Sequence, residues 1–499
     1  RYALGTNSGE WIRVNENDFH NAETHFHIQL KFDGILSEQA AVFIEHLTHE
    51  LVNENTRKSV LYVNYEATLT NQIRRGYRYI KTDIKSGKKA DGPRIEREIR
   101  DYLAVTYLKP LRDAETEMAA GRGSRLSQIL SVANELTQGS SSFDALIKVL
   151  TTANQKIVRN QGVIESRKSI KKHLSNLTFD NDQFDPVIDI LDGKDPSEMS
   201  DLEKWRLFKS ILEKFNLFLD VEKPLQGLGY NNILFIATEL LLLQQEREAF
   251  SLLVIEEPEA HLHPQLQMKL LKFIRDSYNK EEGPKLQSIL TTHSPNLASK
   301  APLESLILMS KDGKAFPLRK GETELEEEDY EFLEKFLDVT KSNLFFAKSV
   351  LIVEGDSENI LLPTIAELLG RPLENYGVSV VNIGNTAFAR YAKIFKRRGL
   401  DDNSNRVNWV PTRVACLHDL DLWPDKAECR PENEPFGFKT KKQPNESGRG
   451  GNLSSWRSSY KPKKLQEKKE KMKSKAGQGQ NIKVCLSDQW TFEYSLALN

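Results

Sequence analysis

The stretch Ser-Val-Leu-Ile-Val-Glu-Gly-Asp-Ser-Glu, residues 349–358, decides the fold of the second half of the chain. Its apolar run predicts a strand, its glycine a tight turn, and the apolar residues that follow predict an amphipathic helix. Glu354 then lies at the carboxyl end of the strand, and Glu358 faces back from the first helical turn. We therefore expect two carboxylates beside one turn.

Two more apolar stretches, residues 377–383 and 413–417, predict neighbouring strands, and the second continues into His-Asp-Leu-Asp at 418–421. In an extended segment, Asp419 and Asp421 present their carboxylates to one side. The strand ends of a parallel α/β sheet gather at one edge, where ligands usually bind. Carboxylates gathered there repel one another unless cations lie among them, and hard oxygen ligands suit Mg²⁺ or Mn²⁺. The alternative is a solvated acidic turn after each strand.

The pattern Glu354-Gly-x-x-Glu358 followed by Asp419-x-Asp421 resembles the Toprim domain of topoisomerases, primases and certain nucleases. The resemblance implies a Rossmann-like α/β domain in which these four residues bind divalent metal ions. The chemistry implied for the nucleases is cleavage of a phosphodiester bond at two metal ions.

The end of the chain resembles the last part of the same domain. Residues 484–487 correspond to its last strand, and residues 490–494 to an additional acidic ligand, for which we choose Glu493 over Asp488. The family also uses a lysine further downstream. We expect that lysine to be absent, because this chain stops at Asn499.

Length and composition restrict the class of protein. A chain of 499 residues with 39% hydrophobic and 28% charged residues predicts a soluble protein of two or three domains. No membrane-spanning stretch or secretory signal is visible, and three cysteines without a CxxC pair fit a reducing cytoplasm. The net charge of −1 means that any DNA binding must depend on local basic patches.

The first half of the chain mixes strands and helices. Residues 25–32 and 59–65 alternate as half-buried strands do, and we expect His25 and His27 to lie on a polar face rather than bind metal. Helical spacing of apolar residues predicts a helical insertion at about 124–222. It either packs on its neighbour or pairs with a second subunit.

Three segments then follow in a meaningful order. A glycine-rich turn at 226–230 opens an apolar helix, which is an anion-binding arrangement. An apolar strand ends in Glu256-Glu257-Pro-Glu, and Ala-His-Leu-His-Pro follows at 260–264. A later strand, residues 288–292, ends in His293.

These segments resemble the ABC-type ATPase head of chromosome-maintenance and recombination ATPases. The resemblance implies that Gly227 and Gly229 belong to a signature motif that contacts the nucleotide of an opposing subunit. It places Glu256 at the Mg²⁺-binding Walker B position and makes Glu257 the residue that polarises the attacking water. His293 would be the switch histidine at the γ-phosphate, and the Ala-His-Leu-His-Pro segment the D-loop.

One element of that head is missing from the sequence. No Gly-x-x-x-x-Gly-Lys-Ser/Thr occurs, and the Gly-Thr-Asn-Ser-Gly at residues 5–9 lacks the lysine and the spacing. The family carries this phosphate-binding loop near its N-terminus. We therefore expect that it preceded Arg1, rather than that the ATPase never had one.

An ABC-type head followed directly by Toprim resembles the OLD (overcoming lysogenization defect) family of nucleases, to which the Gabija and retron-associated antiviral effectors are related. The expected fold class is α/β: an ABC-type ATPase domain with a helical insertion, then a Toprim domain. We expect the ATPase domain at 1–310, a charged connector with a solvated acidic run at 311–345, and the Toprim domain at 346–499, incomplete at its C-terminus.

Two basic segments could contact DNA. Eight lysines fall between Lys461 and Lys475, and this stretch is either a mobile, solvated loop or a loop that binds phosphates. Residues 396–398, Lys-Arg-Arg, offer a second patch.

The sequence therefore predicts an ATP-regulated, Mg²⁺- or Mn²⁺-dependent DNA endonuclease that acts in the cytoplasm, plausibly in antiviral defence. Its expected partners are DNA, further copies of itself as a homodimer or larger homo-oligomer, and a partner protein or nucleic acid of a defence system. The competing hypothesis is a recombination-type ATPase clamp whose Toprim domain binds DNA without cutting it.

Overall fold

The structure is a computed structural model. It describes residues 1–5, 13–35, 37–53, 56–74, 77–103, 105–109, 121, 124, 126–130, 140–177, 199–215, 234–241, 252–260, 262–279, 286–400, 403, 408–422, 461–488 and 490–498. The chain divides into two compact units. The first consists of Arg1–His263 and Lys272–Thr291, and the second of Pro264–Leu271 and Thr292–Asn499.

The first unit contains an antiparallel sheet of four strands. Its strands are β1 (His25–Phe32), β2 (Leu47–Asn53), β3 (Thr56–Arg74) and β4 (Tyr77–Lys85). The long β3 pairs with all three others. In β1 the side chains alternate between exposed and half-buried, and His25 and His27 are on the exposed side. Their predicted place on a polar strand face is confirmed.

A parallel sheet of three strands carries the ATPase-type segments of the first unit. Its order is β5 (Thr106–Leu108), β6 (Leu252–Glu256) and β7 (Gln287–Thr291). The central strand β6 buries Leu253 and Ile255 at 0% and 2% exposure. Since β6 lies between two strands, its last residues are held in a fixed position.

Helices make up most of the rest of the first unit. They are α1 (Ser37–Val42), α2 (Arg97–Asp101), α3 (Ser140–Val158), α4 (Gln161–Leu177) and α5 (Asp201–Leu212); residues 126–130 and 234–241 are also helical. Helix α5 begins at a capping box in which Ser200 accepts from the N–H of Glu203. The predicted helical insertion is therefore helical where the structure describes it. Pairing with a second subunit stays a prediction.

The second unit is built on a parallel sheet of four strands in the order β11-β10-β12-β13. The strands are β10 (Ser349–Val353), β11 (Val378–Asn382), β12 (Arg413–His418) and β13 (Ile482–Leu486); a hairpin of β8 (Ile307–Met309) and β9 (Ala315–Pro317) precedes them. The predicted parallel α/β sheet is confirmed. Its middle strands bury Ile352, Val353 and Cys416 at 0% exposure.

The helices of the second unit surround this sheet. Helix α6 (Pro264–Tyr278) is divided between the two units; α7 (Pro295–Ala298), α8 (Glu327–Phe336), α9 (Asp356–Leu368), α10 (Phe388–Lys393), α11 (Pro462–Lys475) and α12 (Phe492–Leu498) follow. Short 3₁₀ helices lie at Glu16–Asp18, His20–Ala22, Leu303–Ser305, Lys341–Phe345 and Leu373–Tyr376. Among the helices described, none combines the length and the apolar character needed to cross a membrane.

The acidic run at 324–329 is only in part the solvated helix face that the sequence predicts: Glu326, Glu327 and Glu328 are exposed, but Asp329 is not. Leu325 and Leu333 are buried in the core of the second unit. Asp329 is 6% exposed, and its carboxylate lies 2.7 Å from Lys393 Nζ and 3.7 Å from Arg390 Nε. A buried carboxylate is retained because these cations and a capping hydrogen bond satisfy it.

Each residue of the basic patch at 396–398 is paired with a carboxylate of residues 322–326, which does not favour its interpretation as a phosphate-binding surface. Three ion pairs join the two segments: Lys396–Glu324 at 3.4 Å, Arg397–Glu322 at 2.5 Å and Arg398–Glu326 at 2.6 Å. Arg397 also donates to the carbonyl of Pro317 at 2.6 Å. Its side chain is 10% exposed, so its role is to join segments of this unit.

The lysine-rich stretch is a helix and not a loop. Helix α11 has Lys461 as its N-cap and Pro462 at its first position, where a missing N–H costs no hydrogen bond. It is followed by Ala476, which is 4% exposed and belongs to the core of the second unit. Helix α11 contacts β13, so the lysines are fixed along a helix beside that strand.

Candidate metal centre

The carboxyl ends of β10 and β12 bring the predicted acidic residues together. Val353 and Leu417 are register partners in these adjacent strands, so Glu354 follows one strand where His418 and Asp419 end the other. Helix α9 begins after Gly355, and Glu358 in its first turn is 4% exposed. Glu358 Oε2 lies 3.4 Å from the position that a Cβ at residue 355 would take. The glycine therefore leaves room for the carboxylate.

Glu354 is held by two groups of the neighbouring strand. The N–H of Asp419 donates to Glu354 Oε1 at 3.0 Å, and His418 Nδ1 lies 2.5 Å from the same oxygen. The His418 ring stacks on Phe388, with centroids 5.0 Å apart. Burial disfavours the charged imidazole, but the Glu354 carboxylate outweighs it and raises the pKa of His418. This contact fixes the orientation of Glu354.

Mutual repulsion between the carboxylates is visible at Asp419. Burial, followed by the charges of Glu354, Glu358 and Asp421, raises the pKa of Asp419 from 3.8 to about 7, against one opposing hydrogen bond from the backbone. Burial and the Glu354 charge likewise raise the pKa of Asp421, which His418 and Lys468 oppose. The predicted cluster is therefore electrostatically strained in the absence of a cation.

The segment at 419–421 is not extended throughout, contrary to the sequence-based expectation. Strand β12 ends at His418, and Asp421 has a φ of 55°. Leu420 is fully buried, and the N–H groups of Leu420 and Asp421 both donate to the carbonyl of Trp490, at 3.0 and 3.1 Å. Left-handed backbone at a residue other than glycine carries strain and is typical of functional sites.

Helix α12 brings the fifth predicted residue to the same edge. The N–H of Phe492 donates to Asp419 Oδ1 at 2.8 Å. In the next residue, a hydrogen bond from the Ser357 side chain lowers the pKa of Glu493, and Ser357 belongs to the first turn of α9. The rejected alternative, Asp488, is 92% exposed and lies 3.7 Å from Lys469. The geometry thus agrees with the choice of Glu493, whose role stays a prediction.

The donor set fits a hard divalent cation in its chemistry and its location. Four carboxylates, those of Glu354, Glu358, Asp419 and Asp421, lie close enough at this sheet edge to repel one another, and a bound cation would relieve that repulsion. Glu493 lies beside them, next to Ser357. Among the residues that the structure describes, no three His, Cys, Asp or Glu side chains already have an arrangement that could hold a metal ion. Binding therefore requires rotation of carboxylates such as Glu354, which His418 and Asp419 now hold.

Sequence reasoning missed several residues that position this centre. His418 was visible beside Asp419, but its contact with Glu354 depends on the strand register. Ser487 is buried; its Oγ accepts from Leu420 N at 2.9 Å and donates to the Trp490 carbonyl at 2.9 Å. Only the pairing of β12 with β13 reveals this, since Leu486 is the register partner of His418.

The ATPase-type residues lie at the ends of β6 and β7. Glu256 ends β6 beside Thr291, the last residue of β7. The next residue, Glu257, has a φ of 46°, and its N–H donates to the Thr291 carbonyl at 2.9 Å. The backbone thus turns sharply at the predicted water-polarising residue, as it does at Asp421.

The remaining ATPase predictions are only partly described. His293 is exposed after β7, and the next residue, Ser294, caps α7 and donates to Gln267 Oε1 at 2.7 Å. Glu256 and Glu257 belong to the first unit and His293 to the second. Gly227 and Gly229 lie outside the described residues.

A comparison with known protein families defines the class. Residues 220–298 match the family described as AAA ATPase domain. Residues 345–421 match the TOPRIM domain of overcoming lysogenization defect protein-like proteins. The chain thus carries an ATPase-type domain followed by an OLD-like Toprim domain, which is consistent with an OLD family nuclease. The predicted resemblance is confirmed in both domains.

Individual relatives bear names of the same kind. The chain is 27% identical over 184 residues to Endonuclease GajA of Bacillus cereus (strain HuB5-5), which is 32% of this chain and 27% of the relative. It is 26% identical to the OLD nuclease of Thermus scotoductus, over 36% of this chain and 33% of the relative. It is 26% identical to Old nuclease of Escherichia phage P2, over 31% of this chain and 27% of the relative. These matches span a third or less of each relative.

Proposed function

We propose that the protein is a divalent-metal-dependent DNA endonuclease whose cutting is regulated by ATP. The observation that carries this proposal is the gathering of Glu354, Glu358, Asp419 and Asp421 at the carboxyl ends of β10 and β12. Burial, together with the charges of the other three carboxylates, raises the pKa of Asp419 to about 7. Carboxylates crowded at the carboxyl ends of parallel strands are the donor set of a Mg²⁺ or Mn²⁺ site. The names of the relatives, endonuclease and nuclease, favour the same chemistry.

In this proposal Glu354, Glu358, Asp419, Asp421 and Glu493 hold the metal ions. A bound pair of ions would supply the Lewis-acid chemistry of phosphodiester hydrolysis, in which a water is activated and the leaving 3′ oxygen is stabilised. The chain itself contributes orientation. His418 and the N–H of Asp419 fix Glu354, and the N–H of Phe492 fixes Asp419 from the side of α12.

We propose further that nucleotide binding at the ATPase-type domain governs how subunits assemble. Glu256 would hold the Mg²⁺ of ATP, and Glu257 would polarise the attacking water, with Gly227, Gly229 and His293 completing the nucleotide site. The turn at Glu257, fixed by its hydrogen bond to Thr291, supports this placement. Homo-oligomer formation, action in the cytoplasm and a role in antiviral defence belong to the same proposal. The Septu protein PtuA of Bacillus mycoides, 31% identical over 71 residues, supports the defence role by its name.

Nicking of supercoiled plasmid tests the proposed activity. The purified protein should convert supercoiled to open-circular DNA with Mg²⁺ or Mn²⁺, should not do so in EDTA, and should recover when metal is added back. Glu358→Gln keeps the size of the side chain but removes one charge at the centre, and should slow nicking by at least tenfold. DNA binding without metal-dependent nicking by the parent would instead favour the non-cutting ATPase clamp.

A further inference from the structure

Helix α11 arranges four of its lysines in one stripe. Lys464, Lys468, Lys471 and Lys475 follow one another at spacings of four, three and four residues. This spacing places them on one face of an α-helix. Lys464, Lys471 and Lys475 are exposed, and Lys468 is half-buried. The helix thus displays a row of positive charge about 16 Å long, at 1.5 Å per residue.

Such a row disfavours the helix that carries it. Like charges three or four residues apart destabilise a helix by roughly 0.2–0.5 kcal/mol per pair. Carboxylates neutralise lysines elsewhere on α11: Lys473 lies 3.2 Å from Glu470, and Lys469 lies 3.7 Å from Asp488. Within the described part of the chain, no ion pair is formed by three stripe members, Lys464, Lys471 and Lys475.

The stripe passes beside the candidate metal centre. Leu465 and Met472 are half-buried, which indicates that one side of α11 packs against its own unit. Helix α11 contacts β13, and β13 pairs with β12, the strand that leads into Asp419. Lys469, the neighbour of Lys468, lies 3.7 Å from Asp488, two residues after β13 ends. The middle of the stripe therefore lies near the sheet edge at which β12 and β13 end.

The other basic segment of this unit offers a contrast. At 396–398, residues 322–326 already provide each cation with a carboxylate at 3.4 Å or less. A phosphate would have to displace these partners, whereas it could approach the exposed stripe on α11 directly. Of these two segments, only α11 combines open charge with proximity to the carboxylates.

We infer that the stripe of Lys464, Lys468, Lys471 and Lys475 binds the phosphodiester backbone of DNA and leads it to the metal centre. This inference rests on the proposed nuclease function and deepens it. Phosphates of one strand recur every ~3.4 Å along B-DNA, so the stripe spans roughly five of them. Lysines act on phosphates as point charges, so the contact is independent of base sequence and sensitive to salt.

A pair of matched variants tests the stripe. One carries Lys464→Gln, Lys471→Gln and Lys475→Gln, and leaves Lys468 in place. The control carries three Lys→Gln changes on the same helix but off the stripe, at positions 463, 469 and 473. Both lose the same charge, and circular dichroism and thermal melting check that both fold. Binding of a labelled DNA duplex is measured in EDTA, which prevents metal-dependent cutting, over a range of KCl concentrations.

The stripe variant should bind at least tenfold more weakly than the parent at low salt. Its plot of log K against log[KCl] should be shallower by about 2.7, since each lost phosphate contact removes about 0.9 from the slope. The control should keep most of the parent slope. Equal losses in both variants, or no loss in either, would overturn the inference. The inference would also be overturned if the stripe variant kept its affinity for DNA but lost affinity for vesicles of phosphatidylserine. That result would assign the stripe to membrane binding.

The parent's nicking activity is scored separately in Mn²⁺. If the parent binds DNA through the stripe but never nicks it, the proposed nuclease activity is contradicted and the inference about the stripe still holds. A parent that nicks while the stripe variant binds like the parent would retain the nuclease and refute the stripe. The two proposals therefore fail on different measurements.

Discussion

Replacing Asp419 by Asn should stabilise the metal-free protein while removing its response to metal. The amide keeps the size of the side chain and an oxygen that can accept from the N–H of Phe492. It removes a charge that burial disfavours and that Glu354, Glu358 and Asp421 repel. The pKa of Asp419 rises from 3.8 to about 7 on folding, roughly three pKa units, which corresponds to about 4 kcal/mol at 1.36 kcal/mol per unit. Solvent screening of this half-buried group reduces the expected gain in the free energy of unfolding to roughly 1–3 kcal/mol.

The pH dependence has a definite sign. Because the folded pKa is raised, the folded protein holds this proton more tightly than the unfolded chain does. The penalty is absent below pH ~4, grows as the pH rises, and is complete above about 7. The stabilisation by Asp419→Asn should therefore be small at pH 4 and largest at pH 8.

Thermal melting in EDTA and in Mn²⁺ measures both effects. At pH 8 in EDTA, Asp419→Asn should melt about 2–12 °C above the parent, from 2–4 °C per kcal/mol for a unit of this size. Mn²⁺ should raise the melting temperature of the parent, and much less that of the variant. Asp488→Asn, at a side chain 92% exposed, is the control and should change neither. A less stable Asp419→Asn in EDTA, or equal Mn²⁺ stabilisation of both proteins, would refute the electrostatic reasoning.

Three further predictions concern other parts of the chain. Arg397→Met should lower the melting temperature by several degrees, because it removes bonds to Pro317 and Glu322. It should leave the salt dependence of DNA binding unchanged. A shallower dependence of binding on salt would indicate that segment 396–398 does contact DNA. Asp329→Asn should lower the free energy of unfolding in urea by about 1–3 kcal/mol, because Lys393 and Arg390 lose their carboxylate. The control Glu328→Gln, at an exposed side chain, should lower it by less than about 0.5 kcal/mol. Equal losses in the two variants would contradict the buried pairing. In a form of the protein that carries a phosphate-binding loop, Glu257→Gln should bind ATP but hydrolyse it at least tenfold more slowly in a phosphate-release assay. It should keep metal-dependent nicking. ATP hydrolysis at the parental rate would show that Glu257 does not polarise the attacking water.

The parallel sheet was predictable because each strand is an apolar run that ends in a chemical signal. In residues 349–353 and 413–417 one face is buried and the other is mostly half-buried, with Arg413 exposed, so both sequences are largely apolar runs. Gly355 marks where the first strand stops. The positions of Glu354, Glu358 and Asp419 beside the strand ends were therefore predictable from the sequence. At Asp421 the expectation of an extended segment was wrong, because the Trp490 carbonyl, 69 positions along the chain, captures two N–H groups there.

Charge was harder to interpret than hydrophobicity. The sequence shows an acidic run at 324–329 and a basic run at 396–398, but not that they face each other, since ion pairs between distant segments depend on the tertiary fold. Likewise, eight lysines within 15 residues suggest a solvated loop. Helix α11 forms instead, since Leu465 and Met472 give it a side that packs and Pro462 begins it.

The rate of plasmid nicking by Asp419→Ala, compared with the parent in Mn²⁺, tests the central claim most directly. Both proteins are used at concentrations that saturate the DNA, so that the comparison reports cutting and not binding. If the carboxylates at the ends of β10 and β12 form the nuclease centre, Asp419→Ala should nick at least a hundredfold more slowly while binding DNA with parental affinity, and Glu354→Ala should behave alike. Nicking by either variant at the parental rate would show that the cutting chemistry lies elsewhere.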